Sequence, residues 1–393
     1  MKRIVTSLAF LMLGWMAVWA SDVLLLTDTT VLNAPVTDSV TMRLDSIAMN
    51  LDSVNHQGKD YWKRVIFRHG WSINDTSIVY PKVLDFGVKT YRWLNHALNY
   101  YDTAYVVNPG KGRKKFKIML KNSNWLDFYS GHLGKWQTPV QMNSDVTSLF
   151  GFHISGMGLS FTYMINVRDL LAGKFIHNRR LQFSFTTSRI FIEAYYRKND
   201  QSSVHINRLG KWMGSRIFDG LKREGYGLDA YYIFNHTHYS QAAAYCFSKY
   251  QKRSAGSWLA GISLQHFDVK FDVEKMSEEI RTYFPTQADA PRTLYNDYCL
   301  LFGYGYNWVL GKNWLLNATA TPYVGYRYNH LHIAGNTPSA LSLNLRARIG
   351  AVYNHKQYFV AFQSFADHHR YSSHTSKLVN SVLEFSILSG IRF

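Results

Sequence analysis

The sequence predicts an all-β protein, a transmembrane antiparallel β-barrel of about 12 strands (range 10–14), preceded by a periplasmic segment with one amphipathic helix. Three observations lead to this prediction: an apolar start typical of a secretory signal peptide, long segments with a period of two, and an alternating final segment that ends on Phe393. Because a barrel strand faces lipid on one side and a polar lumen on the other, apolar and polar residues alternate along it.

The final segment, Val379–Phe393, has two distinct faces. Its apolar parity comprises Leu383, Phe385, Ile387, Ile391 and Phe393. Its other parity comprises Glu384, Ser386, Gly390 and Arg392, with Leu388 as an exception. Taken alone, the segment fits a half-buried strand of a soluble sheet equally well. With the rest of the chain, it is predicted to close the barrel and to engage the barrel assembly machinery, with Glu384 and Arg392 towards the lumen.

Residues 1–20 are predicted to be a signal peptide, with Lys2 and Arg3 before an apolar stretch and cleavage after Ala20. Residues 21–113 are predicted to form a periplasmic segment. Its helix is expected near residues 81–101, where apolar residues follow helical spacing and Pro81 suits a first turn. This helix could lie on the membrane, cap the barrel, plug it, or pack against the rest of the segment.

Residues 114–393 are predicted to form the barrel. The 27 Tyr and 11 Trp suit the aromatic girdles at the two membrane interfaces. The clearest strands, Tyr298–Trp308, Trp314–Tyr328 and Leu341–Tyr353, are longer than the roughly five or six residues usual in soluble sheets. Short turns alternate with the longer loops expected at Asp268–Arg292, Asn329–Ala340 and Ala366–Lys377.

The alternation also predicts a strand at Ala242–Phe247, after a short turn at Asn235–Tyr239. With it the strands number thirteen. Single-chain bacterial barrels have an even number, so twelve is the predicted count.

The chain is strongly basic, and its charge argues for contact with anionic lipid. Removal of Lys2 and Arg3 with the signal lowers the formal net charge from +18 to +16. The basic residues are scattered between predicted strands, which does not favour nucleic acid. Outer-membrane lipid and lipopolysaccharide are the expected partners, and solvated loops are the alternative. The candidate lipopolysaccharide contacts are Arg197, Lys198, Lys222, Arg223, Lys252 and Arg253.

Charged residues also occupy the polar parity of the late strands. They are Arg327, Arg346, Arg348, Glu384 and Arg392. If they face the lumen, they form a basic wall that favours anionic solutes. Alternatively, arginine and glutamate pair across strands and close the lumen.

Catalysis and metal binding have little support. Serines lie near histidines in the pairs Ser240 and His238, and Ser254 or Ser257 beyond His236; His266 is a further candidate. None lies in a nucleophile or metalloprotease motif, so no catalytic residue is assigned. The weak metal candidates are His330, His332, His368, His369 and His374. They have no cysteine partners and few carboxylates nearby, so no metal or cofactor is expected.

The two cysteines, Cys246 and Cys299, are each placed in a predicted strand. Export permits a disulfide, but strand cysteines must meet at a narrow Cα separation to form one. The sequence does not decide whether Cys246 and Cys299 form a disulfide.

Over residues 80–393 the chain resembles a domain-of-unknown-function family of predicted Gram-negative outer-membrane barrels. The segments that carry the resemblance are Tyr101–Val106, Leu120–Trp125, Tyr232–Asn235 and Gln251–Ser257. The resemblance implies a barrel in the bacterial outer membrane and supplies no activity. The expected function is a porin-like, narrow anion-preferring channel or small-molecule binding barrel. The alternatives are a structural barrel that binds lipopolysaccharide through basic loops and an outer-leaflet lipid-modifying hydrolase.

Overall fold

The computed structural model describes residues 80, 82–109, 116–133, 138–156, 158–166, 171, 178–209, 212–275, 278, 292–330, 339–372 and 377–393. The predicted signal peptide and most of the predicted periplasmic segment, including Pro81, lie outside these ranges. The chain divides into two compact units, Met1–Ala97 and Leu98–Phe393, which are considered separately.

The first unit contributes one described helix, α1, at Lys82–Leu98. Asp85 lies in its first turn, where a carboxylate favours the positive end of the helix dipole, and pairs with Lys89 at 2.7 Å. Phe86 and Trp93 lie about two turns apart and are 79% and 67% exposed, which gives the helix an exposed aromatic face. No helix in the described ranges combines the length and apolar character needed to cross a bilayer.

The second unit is built from antiparallel strands. In chain order its elements are β1 (Val106–Val107), β2 (Phe116–Leu133), β3 (Thr138–Ser144), β4 (Thr147–Gly156), β5 (Leu159–Asn166), β6 (Asn178–Thr186), β7 (Ile190–Leu209), β8 (Trp212–Ile233), α2 (Gln241–Ala244), β9 (Tyr250–Gln251), β10 (Ala255–Phe271), a single 3₁₀ turn (Val273–Lys275), β11 (Arg292–Leu310), β12 (Trp314–Asn329), β13 (Ser339–His355), β14 (Tyr358–Ser372) and β15 (Lys377–Arg392).

The sheet closes on itself because the last strand pairs with the first barrel strand. The β15–β2 ladder runs from Lys377 opposite His132 to Arg392 opposite Lys117. β3 and β4 follow one another along the same side of β2, so they occupy one position in the wall. The described residues therefore form a closed barrel of twelve strands, which confirms the predicted fold and count.

The two ends of the barrel differ. We call the end that carries Phe116, Phe393 and the turns at Gly311 and Lys356 the base, and the opposite end the rim. β5 and β6 are only 8 and 9 residues long and line the base half. Beyond them β3 pairs directly with β7, from Ser144 opposite Val204 to Val140 opposite Leu209. The wall therefore narrows from twelve strands at the base to ten at the rim.

The outer face carries the apolar parity of each strand. An aliphatic band includes Ile262, Leu300 and Val324, which lie side by side on three neighbouring strands and are 44%, 65% and 50% exposed. Towards the base, Trp258 stacks against Phe302 with ring centroids 5.1 Å apart. An aliphatic band beside aromatic rings is the pattern of a wall that faces lipid.

One predicted strand is wrong. Residues 242–247 belong to α2 and the turn after it, and this difference accounts for thirteen predicted strands becoming twelve. The predicted short turn Asn235–Tyr239 is instead the start of a longer segment, residues 234–254, that joins β8 to β10. Its alternation reflects packing inside the barrel rather than strand pairing.

Several strands also extend further towards the rim than predicted. β14 continues to Ser372 through part of the predicted loop Ala366–Lys377, and β10 continues to Phe271. β7 and β8 reach 20 and 22 residues. The outward positions of these added parts are mostly polar, as at Lys270 and His368, so they lack the apolar face by which a lipid-facing strand is recognised.

An arginine in the aliphatic band tests this placement. We expect Leu300→Arg to lower the free energy of unfolding in lipid by about 2–4 kcal/mol, because a charge near the midplane is costly. Leu310→Arg, at the base end of the same strand, is the matched control and should cost about 0–1 kcal/mol. Urea titrations of the refolded protein in vesicles measure both, and equal costs would contradict the placement.

Candidate functional site: a plugged and charged lumen

The segment between β8 and β10 folds back into the barrel at its base, and we call residues 234–254 the plug. Tyr239, Gln241, Ala244 and Phe247 in this segment are fully buried. The hydroxyl of Ser240 caps α2 by accepting the amide of Ala243 at 3.1 Å. The plug is thus an ordered part of the interior.

Apolar contacts fix the plug against the wall. Phe247 stacks on Phe359 of β14, with ring centroids 5.1 Å apart. The surrounding cluster is formed by Met119, Ala243, Ala244, Phe247, Leu315, Val352, Phe359, Ala361 and Leu388. Part of the inner face of the base is therefore apolar.

Polar contacts give the plug a defined register on the wall. Asn307 Nδ2 donates to the carbonyl of Ser240 at 3.1 Å and to Gln251 Oε1 at 3.0 Å. Asn317 Nδ2 donates to the Tyr239 hydroxyl at 3.2 Å. Burial raises the pKa of Tyr239 to about 12, so this phenol stays neutral. A Cβ at Gly305 would lie 2.5 Å from the same hydroxyl, so this close approach requires glycine.

Arg392 of the closing strand holds the plug. Its Nε donates to the carbonyl of Phe247 at 2.8 Å, and one Nη donates to the Tyr250 hydroxyl at 3.1 Å. The other Nη donates to Asn354 Oδ1 at 2.6 Å, and the guanidinium lies over the ring of Phe359. Arg392 therefore acts as an anchor rather than as a free charge on a pore wall.

The segment Asp102–Val107, which precedes the barrel, is hydrogen-bonded to the plug. β1 pairs with β9, which places Val106 opposite Gln251. The Lys252 amide donates to the Tyr105 carbonyl at 2.6 Å, and the Asp102 amide donates to the Thr237 carbonyl at 3.0 Å. The base is thus closed by two segments of the second unit that are joined by backbone hydrogen bonds.

Above the plug, ion pairs cross the lumen between strands that are not neighbours. Arg348 on β13 reaches Glu193 on β7 at 3.1 Å. Arg346 on β13 pairs, at 2.8 Å, with Asp367 on the neighbouring strand β14 and, across the lumen, with Asp229 on β8. The Arg223–Asp127 pair joins β8 to β2 in the same way. These pairs brace the wall from within and narrow its interior.

Nearer the rim, Arg327 and Asp297 form a pair between neighbouring strands. Two guanidinium nitrogens of Arg327 donate to the two carboxylate oxygens at 2.5 Å each. Ser342 Oγ and Asn344 Nδ2 donate to the same carboxylate at 2.9 and 3.1 Å. The two charged side chains are 1% and 0% exposed, so the pair is buried and well satisfied.

Glu384 receives three basic side chains. Arg180 donates to it at 2.5 Å, while Lys121 Nζ and Arg197 Nη lie at 3.5 and 3.6 Å. Ser123 Oγ also donates to Glu384, at 2.7 Å. Lys121 and Arg180 were not among the predicted lumen residues; for Lys121 the available signal was the Lys/Phe/Lys/Ile alternation of residues 115–121.

A small cavity lies between this cluster and the plug. Its volume is about 90 Å³, and its lining includes Lys121, His153, Arg180, Arg197, Arg348 and Glu384. Since about 10–15 Å³ of such space holds one water, it accommodates a handful of water molecules. We call this cavity the chamber.

The charged residues predicted from the sequence lie in three places: the lumen, the outer face and the plug. Arg327, Arg346, Arg348, Glu384 and Arg392 all point inward. The six lipopolysaccharide candidates do not form one surface. Arg197 and Arg223 are buried in the lumen, because neighbouring residues on a strand point to opposite faces. Lys198 and Lys222 are on the outer face, whereas Lys252 and Arg253 lie in the plug at the base.

The histidine candidates are also separated. His368 is on the outer face and contacts Ser381, whereas His369 is buried beside Asp367 at 3.2 Å. His330 contacts the ring of His266, with centroids 6.1 Å apart. His332 and His374 lie outside the described residues. In the part of the chain that the structure describes, no three metal-ligating side chains converge.

The remaining candidates have structural surroundings. Ser240 caps α2, and His238 Nδ1 contacts Asn235 Oδ1 at 3.1 Å rather than this serine. Cys246 and Cys299 are both free and buried. Cys246 lies 3.2 Å from the Thr186 hydroxyl.

The buried pair near the rim gives a stability prediction. We expect Asp297→Asn to lower the free energy of unfolding by about 3–5 kcal/mol, because Arg327 would be left buried without its counter-charge. The double variant Asp297→Leu with Arg327→Met removes both charges and should lose much less. Urea unfolding of the purified variants measures this difference. If the double variant lost as much as Asp297→Asn, the explanation through an unpaired charge would be wrong.

Solved structures with a similar fold are bacterial outer-membrane barrels. The translocator domain of the autotransporter NalP from Neisseria meningitidis is 10% identical, with a TM-score of 0.34, and the match covers 79% of this chain and 96% of that one. The outer membrane protein OprG from Pseudomonas aeruginosa is 11% identical (TM-score 0.27; 72% and 98% covered). The COG4313 outer membrane channel from Pseudomonas putida F1 is 10% identical (TM-score 0.29; 73% and 100% covered).

The comparison with curated proteins finds no match. A family model described as a domain of unknown function (DUF4421) matches residues 100–393, which is most of the chain and all of the barrel. The chain therefore belongs to the DUF4421 family.

Proposed function

We propose that the protein is an outer-membrane channel for small anions whose base, on the periplasmic side, is closed by the plug. The observation that carries this proposal is the plug itself. The interior of a twelve-strand barrel is wider than that of the eight-strand form, which wall side chains alone can fill. Here a separate loop of 21 residues fills the base, and its displacement would open a polar lumen without breaking the wall.

The charge of the lumen supports a preference for anions. The inward basic residues are Lys117, Lys121, Arg180, Arg197, Arg223, Arg327, Arg346, Arg348 and Arg392. The inward acidic residues are Asp127, Glu193, Asp229, Asp297, Asp367 and Glu384. Among the described residues the cations outnumber the acids, and rings of Arg and Lys favour anions in a pore.

The ion pairs that cross the lumen, which we call the struts, and the plug together keep the barrel in a closed resting state. Phe247 and its cluster seal the base, and the Arg348–Glu193 and Arg346–Asp229 pairs narrow the lumen above it. In this state the barrel holds a solute in the chamber rather than conducting it. Conduction requires the plug to leave, while the struts set the size limit of what passes.

The two alternative functions have less support. The residues proposed to bind lipopolysaccharide lie on three separate surfaces: the lumen, the outer face and the base. Lys198 and Lys222 are the two on the outer face, where they lie on the neighbouring strands β7 and β8. The hydrolase proposal needs a serine activated by histidine, whereas Ser240 is engaged as a helix cap.

Removal of the plug is the direct test. We expect the intact protein to give few conductance steps in planar bilayers, and a variant in which residues 236–252 are replaced by two glycines to give frequent steps. In a KCl gradient the reversal potential should show preference for chloride, because the exposed lumen is basic. Heat-modifiable migration in electrophoresis checks that the variant barrel has folded.

A control deletion distinguishes opening of the lumen by loss of the plug from leakage caused by shortening any loop. Residues 279–290 belong to the connection between β10 and β11 at the rim, and their deletion removes 12 positions, close to the net 15 removed from the plug. This variant should remain as silent as the intact protein. A folded plug deletion that gave no steps would contradict the channel.

A point variant tests the anchor. Arg392→Gln removes the donors to Phe247 and Tyr250, so we expect brief openings at a rate about tenfold or more above that of the intact protein. Arg370→Gln is the matched control, since Arg370 is exposed on the outer face of β14 near the rim. Single-channel recording measures both, and equal opening rates would exclude Arg392 as the anchor.

A further inference from the structure

The charges around the chamber are locally unbalanced. Arg348 has Glu193, Arg346 has Asp229 and Asp367, and Arg223 has Asp127. The remaining cations, Lys121, Arg180 and Arg197, share the single carboxylate of Glu384. Beside Glu384 this leaves two positive charges in excess, and the groups named here sum to +1 because Arg346 has two carboxylates. An uncompensated buried charge is costly.

Polar nitrogens without partners lie at the same place. Within the described part of the chain, the buried Nε atoms of Arg180 and Arg197 and Nε2 of His153 have no hydrogen-bond partner. His153 is oriented by Thr162, whose hydroxyl lies 2.7 Å from the other ring nitrogen. All three residues line the chamber and are at least nine-tenths buried. Buried polar groups without partners indicate a ligand or ordered water.

We propose that the chamber binds a small oxyanion, a phosphate, sulfate or carboxylate group, beside Glu384 through Lys121, Arg180 and Arg197. This inference rests on the proposed function in one respect, since it names the class of anion that the lumen accepts. Oxyanions accept several charge-assisted hydrogen bonds at once, which suits converging guanidinium and ammonium donors better than chloride does. The chamber's volume of about 90 Å³ restricts the ligand to a small free solute.

Glu384 has a defined part in this site. Its carboxylate lies next to the proposed ligand and already takes up donors from Arg180, Ser123 and Ser386. It therefore weakens anion binding by repulsion while holding the cations in place. A site of this kind binds weakly enough to release its solute, as conduction requires.

Phosphate binding to the purified protein in detergent tests the proposal. Isothermal titration at low ionic strength, with inorganic phosphate, sulfate, acetate and chloride as separate titrants, should show saturable binding of the oxyanions and weaker binding of chloride. Arg197→Gln should weaken phosphate binding about tenfold, because it removes one charged donor. Lys198→Gln is the matched control: it makes the same charge change one residue away, on the outer face.

A second variant acts in the opposite direction. Glu384→Gln removes the competing carboxylate and should tighten phosphate binding about tenfold. Heat-modifiable migration shows whether each variant folds, and Arg197→Gln keeps the test valid if Glu384→Gln does not. The proposal is overturned if phosphate and chloride bind alike, or if Arg197→Gln and Lys198→Gln bind phosphate equally. Binding with no conductance from the plug deletion would refute the channel alone, and conductance with no oxyanion binding would refute this site alone.

Discussion

The pairing of the last strand with the first is the constraint on which the rest of the structure depends. In hydrocarbon an unpaired backbone group costs several kcal/mol, so a spanning sheet must leave no open edge. The ladder between β15 and β2 meets this condition along its whole length. It continues to the final residue, where Phe393 and Phe116 exchange backbone hydrogen bonds of 2.9 and 3.1 Å. The closed barrel has twelve strands, and its interior is therefore wider than that of the eight-strand form, which wall side chains alone can fill.

The protein fills that interior in two chemically different ways. At the base, an inserted loop packs an apolar cluster around Phe247 and aligns it through Asn307 and Asn317. Above it, charged side chains meet across the lumen, as Arg348 and Glu193 do. A buried pair stabilises little relative to an apolar filling, but removal of one partner is costly. The struts therefore fix which strands face one another, while the plug supplies the apolar burial.

Much of the wall could be predicted from sequence, and much of the site could not. The late strands were recognisable because lipid demands an apolar residue at every second position, as along Tyr298–Trp308. The same parity gave the inward direction of Arg346 and Glu384. Their partners could not be read, because Asp229 and Arg180 come from strands far away in sequence that meet only across a closed lumen. The rim ends of β7 and β8 were missed because no lipid imposes an alternation there.

The plug did leave a mark in the sequence. Leu388 breaks the alternation of the final strand by placing an apolar residue on the lumen parity. In the structure it points inward and joins the cluster around Phe247. Met119, Leu315 and Val352 do the same on other strands, each close to the base. Because an open polar lumen gives no reason for inward apolar residues at one end of several strands, such exceptions, taken together, predict that something apolar fills that end. They become evidence only once the strands are aligned by closure, which is why a single exception such as Leu388 carried no weight on its own.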